Sequence, residues 1–163
     1  MLLLVPRVLL KFLGSAAIAS CMALPAFAAE VSRDVLERIG FFGTWAIDCK
    51  APSSLDNVTR TAVVRSTGDA TFTENLGPDS EPNSYVILRT RQLGPSEVAL
   101  RIKLNGEREQ ELIMRVDDGR IRTISNRDLK TGRYLVKNGS VRGTGTETPW
   151  LTRCGDAPPG GKS

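Results

Sequence analysis

Turn signals divide the chain into short segments, and this regular division is the strongest constraint on its fold. Dipeptides such as Asn105-Gly106, Asp118-Gly119 and Thr131-Gly132 recur at intervals of roughly 8 to 14 residues, and runs of β type lie between them. Such spacing is typical of an antiparallel sandwich or barrel. We predict an all-β fold, an antiparallel barrel of about eight strands that follows one short helix.

A single domain accounts for the patterned region, which runs from residue 29 to residue 155. Its helix is predicted over 31–39, where Ser32 can cap the first turn and Gly40 ends the last. The tail, 156–163, is rich in Pro and Gly and is predicted to be disordered. The predicted strands are 42–49, 59–66, 70–75, 84–92, 97–104, 108–116, 120–129 and 133–137, with 148–154 as a candidate ninth.

The hairpin around Asn105-Gly106 allows its register to be predicted. A plain two-residue turn would place Leu100 opposite Glu111 and mix the two faces of the sheet. One extra residue in the turn or a bulge instead places Leu100 opposite Leu112, and it brings outward side chains of opposite charge together. We therefore expect a three-residue loop or a bulge here. The outward pairs would be Lys103–Glu109, Arg101–Glu111 and Glu97–Arg115.

The next two hairpins decide what points into the barrel. A type I′ turn at Asp118-Gly119 pairs Val116 with Ile121 and Met114 with Thr123. That face becomes polar along strand 120–129, as in a barrel with a wet or ligand-holding interior. A bulge in this strand would instead turn Arg127 outward. Continued through the turn at Thr131-Gly132, the register predicts the pairs Leu112–Ser125, Gln110–Arg127, Arg127–Val136 and Leu129–Tyr134.

The first 28 residues differ in kind from the rest. Arg7 and Lys11 are their only charged side chains, and a small apolar stretch ends in the Ala-x-Ala motif at 26–28. This pattern predicts a secretory signal peptide cleaved after Ala28. A membrane anchor is one alternative, because the apolar run nears the length of a span. A lipoprotein is another, because IASC at 18–21 resembles a lipobox that would lipidate Cys21.

Cleavage changes the charge and the cysteines of the protein. Without Arg7 and Lys11 the formal charge falls from +4 to +2, which gives no case for a nucleic-acid partner. Cys49 and Cys154 remain, and an exported pair in an oxidising compartment most simply forms a disulfide. We expect a periplasmic or secreted protein of the bacterial envelope, with a membrane partner only if Cys21 is lipidated.

A Trp-x-x-x-Cys pattern occurs near both ends of the domain. Trp45 precedes Cys49 and Trp150 precedes Cys154, each by four residues. Residues four apart on a strand point to one face, so Trp45, Ile47 and Cys49 are predicted on the core side. The two segments would clasp the barrel if they are neighbours. An antiparallel pair with Cys49 opposite Cys154 would set Trp45 against Pro158, whereas a parallel pair would set the two tryptophans side by side. Barrel-end packing is the expected role of both tryptophans.

Several kinds of chemistry are excluded by composition and motif. The chain contains no histidine, which removes Ser-His-Asp and Cys-His catalysis. No glycine-rich loop follows a strand and opens a helix, so there is no nucleotide-binding motif. Two cysteines without histidine make a poor zinc site. We expect a protein that is not an enzyme and that has no catalytic residue, no metal site and no cofactor.

The stretch Gly43-Thr44-Trp45, at the head of the first strand after a short helix, is similar to the G-x-W signature of lipocalins. The resemblance implies an eight-stranded barrel whose tryptophan closes one end, with a late arginine stacked on it. Arg153 or Arg142 would be that arginine. The chain also resembles small uncharacterised exported bacterial barrels, and that likeness implies no activity.

The expected function is non-enzymatic binding, with a small apolar or amphipathic molecule held in the barrel lumen. The expected polar anchors are Arg127, Gln110, Thr123 and Ser125, and the expected apolar wall is Tyr134 and Met114. One alternative is a protein-binding barrel that inhibits a protease or a lysozyme through the loop 76–84. Another is a structural envelope protein, which lipidation at Cys21 would favour.

Overall fold

The structure, a computed structural model, describes residues 33–156 of the chain. The predicted signal peptide, the lipidation site at Cys21, the cap at Ser32 and most of the predicted tail lie outside the described residues, as does Pro158. Within 33–156, no helix combines the length and the apolar character needed to cross a membrane.

The helix is short, and strands make up most of the described region. Helix α1 spans Arg33–Arg38 and ends where Gly40 adopts a positive φ of 70°. A left-handed residue of this kind commonly terminates a helix. The strands are β1 Gly43–Ala46, β2 Thr59–Val64, β3 Ala70–Asn75, β4 Asn83–Gln92, β5 Glu97–Leu104, β6 Arg108–Asp117, β7 Arg120–Asp128, β8 Tyr134–Lys137, β9 Ser140–Val141 and β10 Leu151–Gly155.

Strand β10 closes the sheet into a barrel. It pairs with β1 on one side and with β7 on the other, so β10 and β1 to β7 form an eight-stranded antiparallel ring. The predicted all-β barrel with a short N-terminal helix is therefore confirmed. Strands β8 and β9 extend from β7 outside this ring. Strand β7 consequently changes neighbour along its length, from β10 at Ile121 to β8 at Asn126.

The hydrophobic core includes the helix and the segment that follows it as well as the inward faces of the strands. Leu36, Phe41 and Trp45 are almost fully buried and join one cluster with the inward residues of β2 to β7. The Trp45 indole Nε1 donates a hydrogen bond to the Phe41 carbonyl oxygen at 3.2 Å, which satisfies the one polar group of that ring. Burial of each such side chain contributes on the order of 2 kcal/mol, so the helix segment is held by packing.

The predicted register of the β5–β6 hairpin is confirmed. Leu100 lies opposite Leu112, and Leu104 lies opposite Arg108, which leaves residues 105–107 as a three-residue loop. All three predicted outward pairs are cross-strand neighbours. The Arg115 guanidinium donates to the Glu97 carboxylate at 2.9 Å, whereas Arg101 reaches diagonally to Glu109 at 2.8 Å.

The predicted register of β6 and β7 is correct only near the turn. Met114 pairs with Thr123, but Ile113 then pairs with Ser125, so Ile124 is an extra, bulged residue. Beyond it the faces exchange, because a one-residue shift moves every following side chain to the other side. The predicted pairs Leu112–Ser125 and Gln110–Arg127 are therefore wrong, and the pairs formed are Leu112–Asn126, Glu111–Arg127 and Gln110–Asp128.

The β7–β8 hairpin is also shifted from its prediction. Arg127 pairs with Tyr134 and Asn126 pairs with Val136, with an irregularity between the two pairs. The predicted pairs Arg127–Val136 and Leu129–Tyr134 are wrong because the bulge at Ile124 has already changed the register of β7. The result is that Asn126 takes the inward place that the sequence pattern gave to Arg127.

Strand β1 is shorter than predicted and ends at Ala46. Asn57 organises the turn that follows: its side chain accepts from the Asp48 amide at 2.8 Å and donates to three loop carbonyls. Ile47 is 42% exposed and Cys49 is exposed as well, so their predicted core-side position is wrong. The turn redirects the chain before the alternation can continue.

Strands β1 and β10 run antiparallel, and Trp45 lies opposite Arg153 rather than Pro158. The prediction of Pro158 assumed that Cys49 and Cys154 face each other in a ladder. Instead the disulfide joins the turn after β1 to β10. Cys49 and Cys154 are bonded, with an S–S distance of 2.08 Å, as predicted.

Candidate functional site

A cavity of about 220 Å³ opens into the barrel beside the seam where β7 leaves β10 for β8. It is partly enclosed, and apolar side chains form most of its wall. A few polar groups converge on one side, which is the usual composition of a small-molecule site. The apolar wall includes Val58, Leu112, Ile121, Val136 and Leu151, and the polar side includes Arg60, Glu74, Tyr85, Thr123 and Asn126.

A buried ion pair forms the base of the polar side. Arg60 on β2 and Glu74 on β3 are direct cross-strand partners and form a salt bridge through Nη2 and Oε1. The Tyr85 hydroxyl donates to the other carboxylate oxygen at 2.6 Å. The Arg60 guanidinium also lies 5.3 Å above the Phe72 ring, and Phe72 stacks on Tyr85 at 4.2 Å. Packing and hydrogen bonds thus fix all three polar side chains.

Burial and the contacts among these three side chains determine whether Glu74 and Tyr85 are ionised. Burial raises the pKa of Glu74, but the Arg60 charge and hydrogen bonds from Tyr85, Arg60 and Asn83 outweigh it, so the pKa lies below its ordinary value of 4.5. Burial and the Glu74 carboxylate raise the pKa of Tyr85 above its usual range. Near neutral pH Glu74 therefore stays charged and Tyr85 stays protonated, which suits a fixed polar wall better than proton transfer.

Two cavity-lining residues carry buried polar atoms without a hydrogen-bond partner in the described part of the chain. These atoms are Nε of Arg60, a donor, and Oδ1 of Asn126, an acceptor. An unpaired buried polar group costs roughly 1 to 3 kcal/mol. Both atoms are shielded from solvent, so a bound molecule recovers that cost where the surrounding side chains admit a group that accepts from Arg60 and donates to Asn126.

Residues 138–149, which we term the strap, cover the seam beside the cavity. Thr148 donates from Oγ1 to the Thr123 carbonyl oxygen at 2.6 Å, and the Gly139 amide donates to the Ile124 carbonyl at 2.8 Å. Arg122 ties the strap down further, through Nε to Thr148 and Nη2 to the Gly139 carbonyl. These contacts replace the ladder that β7 lacks where it leaves β10.

The structure brings only part of the predicted ligand-binding set to the cavity. Thr123 lines it. Met114 and Gln110 are buried inside the barrel but do not line the cavity; the Met114 sulfur contacts Arg60 at 3.7 Å and Thr123 at 3.5 Å. The bulge at Ile124 places the other three on the outer side: Ser125, Arg127 and Tyr134.

Outside the barrel, Arg127 lies over the Tyr134 ring at 6.0 Å. This position agrees with the alternative prediction, in which a bulge turns Arg127 away from the lumen. The pair belongs to the outer surface of β7 and β8, so neither side chain reaches the cavity wall.

Arg60, Glu74, Tyr85 and Asn126 were not singled out from the sequence. A signal for two of them existed, because pairing 59–64 with 70–75 places Arg60 opposite Glu74. Opposite charges on neighbouring strands normally indicate a solvated surface, so the sequence does not distinguish this buried pair from an exposed one. Asn126 could not be found without the bulge at Ile124.

Both tryptophans have arginine contacts. Arg153 lies 5.6 Å from the Trp45 ring centroid, the contact that the lipocalin resemblance implies for a late arginine. Arg142, the other candidate, is exposed on the strap. Trp150 lies outside the core cluster, half-buried, with Arg120 at 5.1 Å and Arg122 at 5.8 Å.

Gly43 of the G-x-W motif is required by close packing. Its φ is +139°, and a Cβ there would lie 2.9 Å from the Gly155 carbonyl oxygen and 3.2 Å from Arg153 Nε. Any side chain would therefore separate β1 from β10 and push the arginine off Trp45.

Comparison of the chain with protein-family models, with curated proteins and with solved structures finds no match.

Proposed function

We propose that this protein is a non-enzymatic, exported binding protein of the bacterial envelope with a lipocalin-like barrel. It holds a small, mostly apolar molecule in the cavity beside β7. The observation that carries the proposal is the pair of buried atoms, Arg60 Nε and Asn126 Oδ1, which have no hydrogen-bond partner within residues 33–156 and belong to the polar side of a mostly apolar cavity. The disulfide between Cys49 and Cys154 supports an oxidising compartment.

The charges around the cavity favour a neutral ligand. Glu74 already neutralises Arg60, and Arg122, which also lines the cavity, is paired with Glu147 and donates to Thr148 and Gly139. A buried carboxylate or ammonium on the ligand would lose its hydration without gaining a free counter-charge. A hydroxyl or amide group can accept from Arg60 and donate to Asn126 at no such cost. The ligand class is therefore an apolar molecule with one neutral polar end.

Native mass spectrometry of protein purified from its own envelope tests this proposal. We expect a retained small molecule of constant mass. Asn126→Leu should reduce its occupancy at least tenfold, because it removes the acceptor and fills part of the cavity. Ser125→Ala is the matched control, since it changes the neighbouring side chain on the outer face and should leave occupancy unchanged.

Two results would overturn the proposal: a protein that carries no small molecule, or equal losses from Asn126→Leu and Ser125→Ala. A bound protein in the same spectra would instead indicate the alternative prediction, an inhibitor of a protease or a lysozyme. The loop proposed for that contact packs at Gly77 against the Ser53 backbone and exposes Pro78, Asp79 and Glu81.

A further inference from the structure

The outer face of β4 carries two arginines without acidic partners, on a surface separate from the cavity. A bulge at Leu88 places Arg89 directly opposite Arg101 on β5, and Arg91 opposite Ala99. Both β4 arginines are exposed, and neither forms an ion pair with any residue in the described range 33–156. Two unbalanced positive charges therefore lie side by side on this strand.

The neighbouring β5–β6 hairpin provides a comparison for the charge pattern of the outer face. Across β5 and β6 the charged outward partners have opposite charge, as in Glu97–Arg115 and Lys103–Glu109. Like charges directly opposite one another destabilise a sheet. The Arg89–Arg101 pair thus runs against the charge pattern of the same sheet, and the bulge at Leu88 is what turns Arg89 outward.

These arginines surround a cleft of about 260 Å³. Arg89, Arg91 and Arg101 line it together with Glu111 and the buried Ala99. Alternate residues on a strand lie about 7 Å apart and opposed residues about 5 Å apart. Three guanidinium groups can therefore converge on one small anion. Arg101 also engages Glu109 at 2.8 Å, so Arg89 and Arg91 supply the free charge.

We propose that this cleft binds a phosphate group, either as free inorganic phosphate or as the headgroup of an anionic phospholipid. The planar guanidinium fork donates two parallel hydrogen bonds to such an oxyanion, and its charge strengthens each of them. Inorganic phosphate as a dianion offsets both unpaired charges of Arg89 and Arg91, and a phosphodiester headgroup offsets one of them. Either anion reduces the repulsion across the Arg89–Arg101 pair.

Two titrations of the folded, disulfide-bonded protein test the proposal and distinguish the sources. Calorimetry with inorganic phosphate measures the free ion, and sedimentation with phosphatidylglycerol vesicles, against phosphatidylcholine vesicles, measures the lipid headgroup. We expect saturable binding in at least one arm. Arg89→Gln and Arg91→Gln should each weaken it about tenfold, the loss expected for one charge-assisted hydrogen-bonding group.

Arg115→Gln is the matched control, because it removes the same charge from the same outer face but has Glu97 as its partner. It should leave binding within twofold. Both β4 variants should fold, since Arg89 and Arg91 are exposed, and circular dichroism checks this. The proposal is overturned if neither arm shows binding, or if Arg115→Gln weakens it as much as the β4 variants, which would indicate attraction by net charge alone.

Discussion

Arg153 on β10 and Trp45 on β1 are direct cross-strand partners, and the guanidinium lies 5.6 Å from the centre of the indole ring. Arg153 Nη2 also donates to the Phe42 carbonyl oxygen at 3.0 Å. One side chain thus connects the closing strand, the closing aromatic residue and the segment that follows the helix. The G-x-W motif and a late arginine act together at this end of the barrel.

Replacing this arginine should weaken the closed barrel. We expect Arg153→Met to lower the free energy of unfolding by about 2 kcal/mol, from the lost cation–π contact and the lost hydrogen bond. Urea denaturation measures the change. Arg142→Met is the control, because it removes an exposed arginine on the strap and should cost less than about 0.5 kcal/mol. Equal losses would contradict a specific role for Arg153.

Removing the charge of Glu74 should be far more costly. We expect Glu74→Gln to lower the free energy of unfolding at pH 7 by about 3 to 5 kcal/mol, because Arg60 then keeps a buried charge without a partner. Glu109→Gln, which breaks the exposed pair with Arg101, should cost at most about 1 kcal/mol. A small effect at Glu74 would show that Arg60 is hydrated in solution.

The same variant predicts a dependence on pH. The pKa of Glu74 is lower in the folded protein than its ordinary value of 4.5, so the ionised carboxylate stabilises the fold above that pH. This contribution is lost as the pH falls below 4.5 and through the lower pKa of the folded state. The difference between the wild type and Glu74→Gln should be full at pH 7 and should shrink by pH 3, as urea denaturation at both pH values can measure. A constant difference would contradict the assignment.

Two glycines with the same positive φ allow the cost of backbone strain to be measured apart from the cost of a steric contact. Gly106 and Gly139 both have a φ of +74°, but a Cβ meets nothing at Gly106 and lies 2.6 Å from Arg122 Nη2 at Gly139. Gly106→Ala should cost about 1 to 2 kcal/mol for the left-handed conformation alone. Gly139→Ala should cost about 1 to 2 kcal/mol more, because Arg122 must give up hydrogen bonds to the strap. If urea denaturation shows equal losses of unfolding free energy in the two variants, Arg122 can move aside without losing stabilising hydrogen bonds.

The disulfide should be a major source of stability. Cys49 and Cys154 are 105 residues apart, and a cross-link of that span is worth on the order of 4 to 5 kcal/mol in the chain-entropy model. We expect Cys49→Ser with Cys154→Ser, or reduction by a thiol, to lower the unfolding free energy by that amount. Reduction of the double variant is the control and should change nothing further.

Sequence patterns predicted the parts of the fold in which two independent signals agree. Between β5 and β6, the apolar pair Leu100–Leu112 and the outward charges select the same register, and the structure has that register. The disulfide could be predicted because Cys49 and Cys154 are the two cysteines that lie outside the predicted signal peptide. Neither prediction depends on a bulge.

The interior of the site could be predicted only as two alternatives, with Arg127 facing the lumen or turned outward by a bulge, because it depends on single inserted residues. Nothing in the local sequence marks Ile124 as bulged, yet that residue exchanges Arg127 for Asn126 on the cavity side. The bulge at Leu88 has the same effect on Arg89. A one-residue shift costs little in backbone pairing and changes the chemistry of a whole face. The strap and β9 were missed for a related reason: side-chain and isolated backbone hydrogen bonds hold them, without a periodic pattern.

The position of β10 between β1 and β7 also has a consequence for folding. The ring can close only when the last strand meets the first, and contacts of such long sequence separation are characteristic of folding in milliseconds to seconds. Until then β1 and β7 present unpaired backbone edges, which are templates for association with other chains. The arrival of residues 151–155 therefore sets how long a newly made chain is exposed to aggregation.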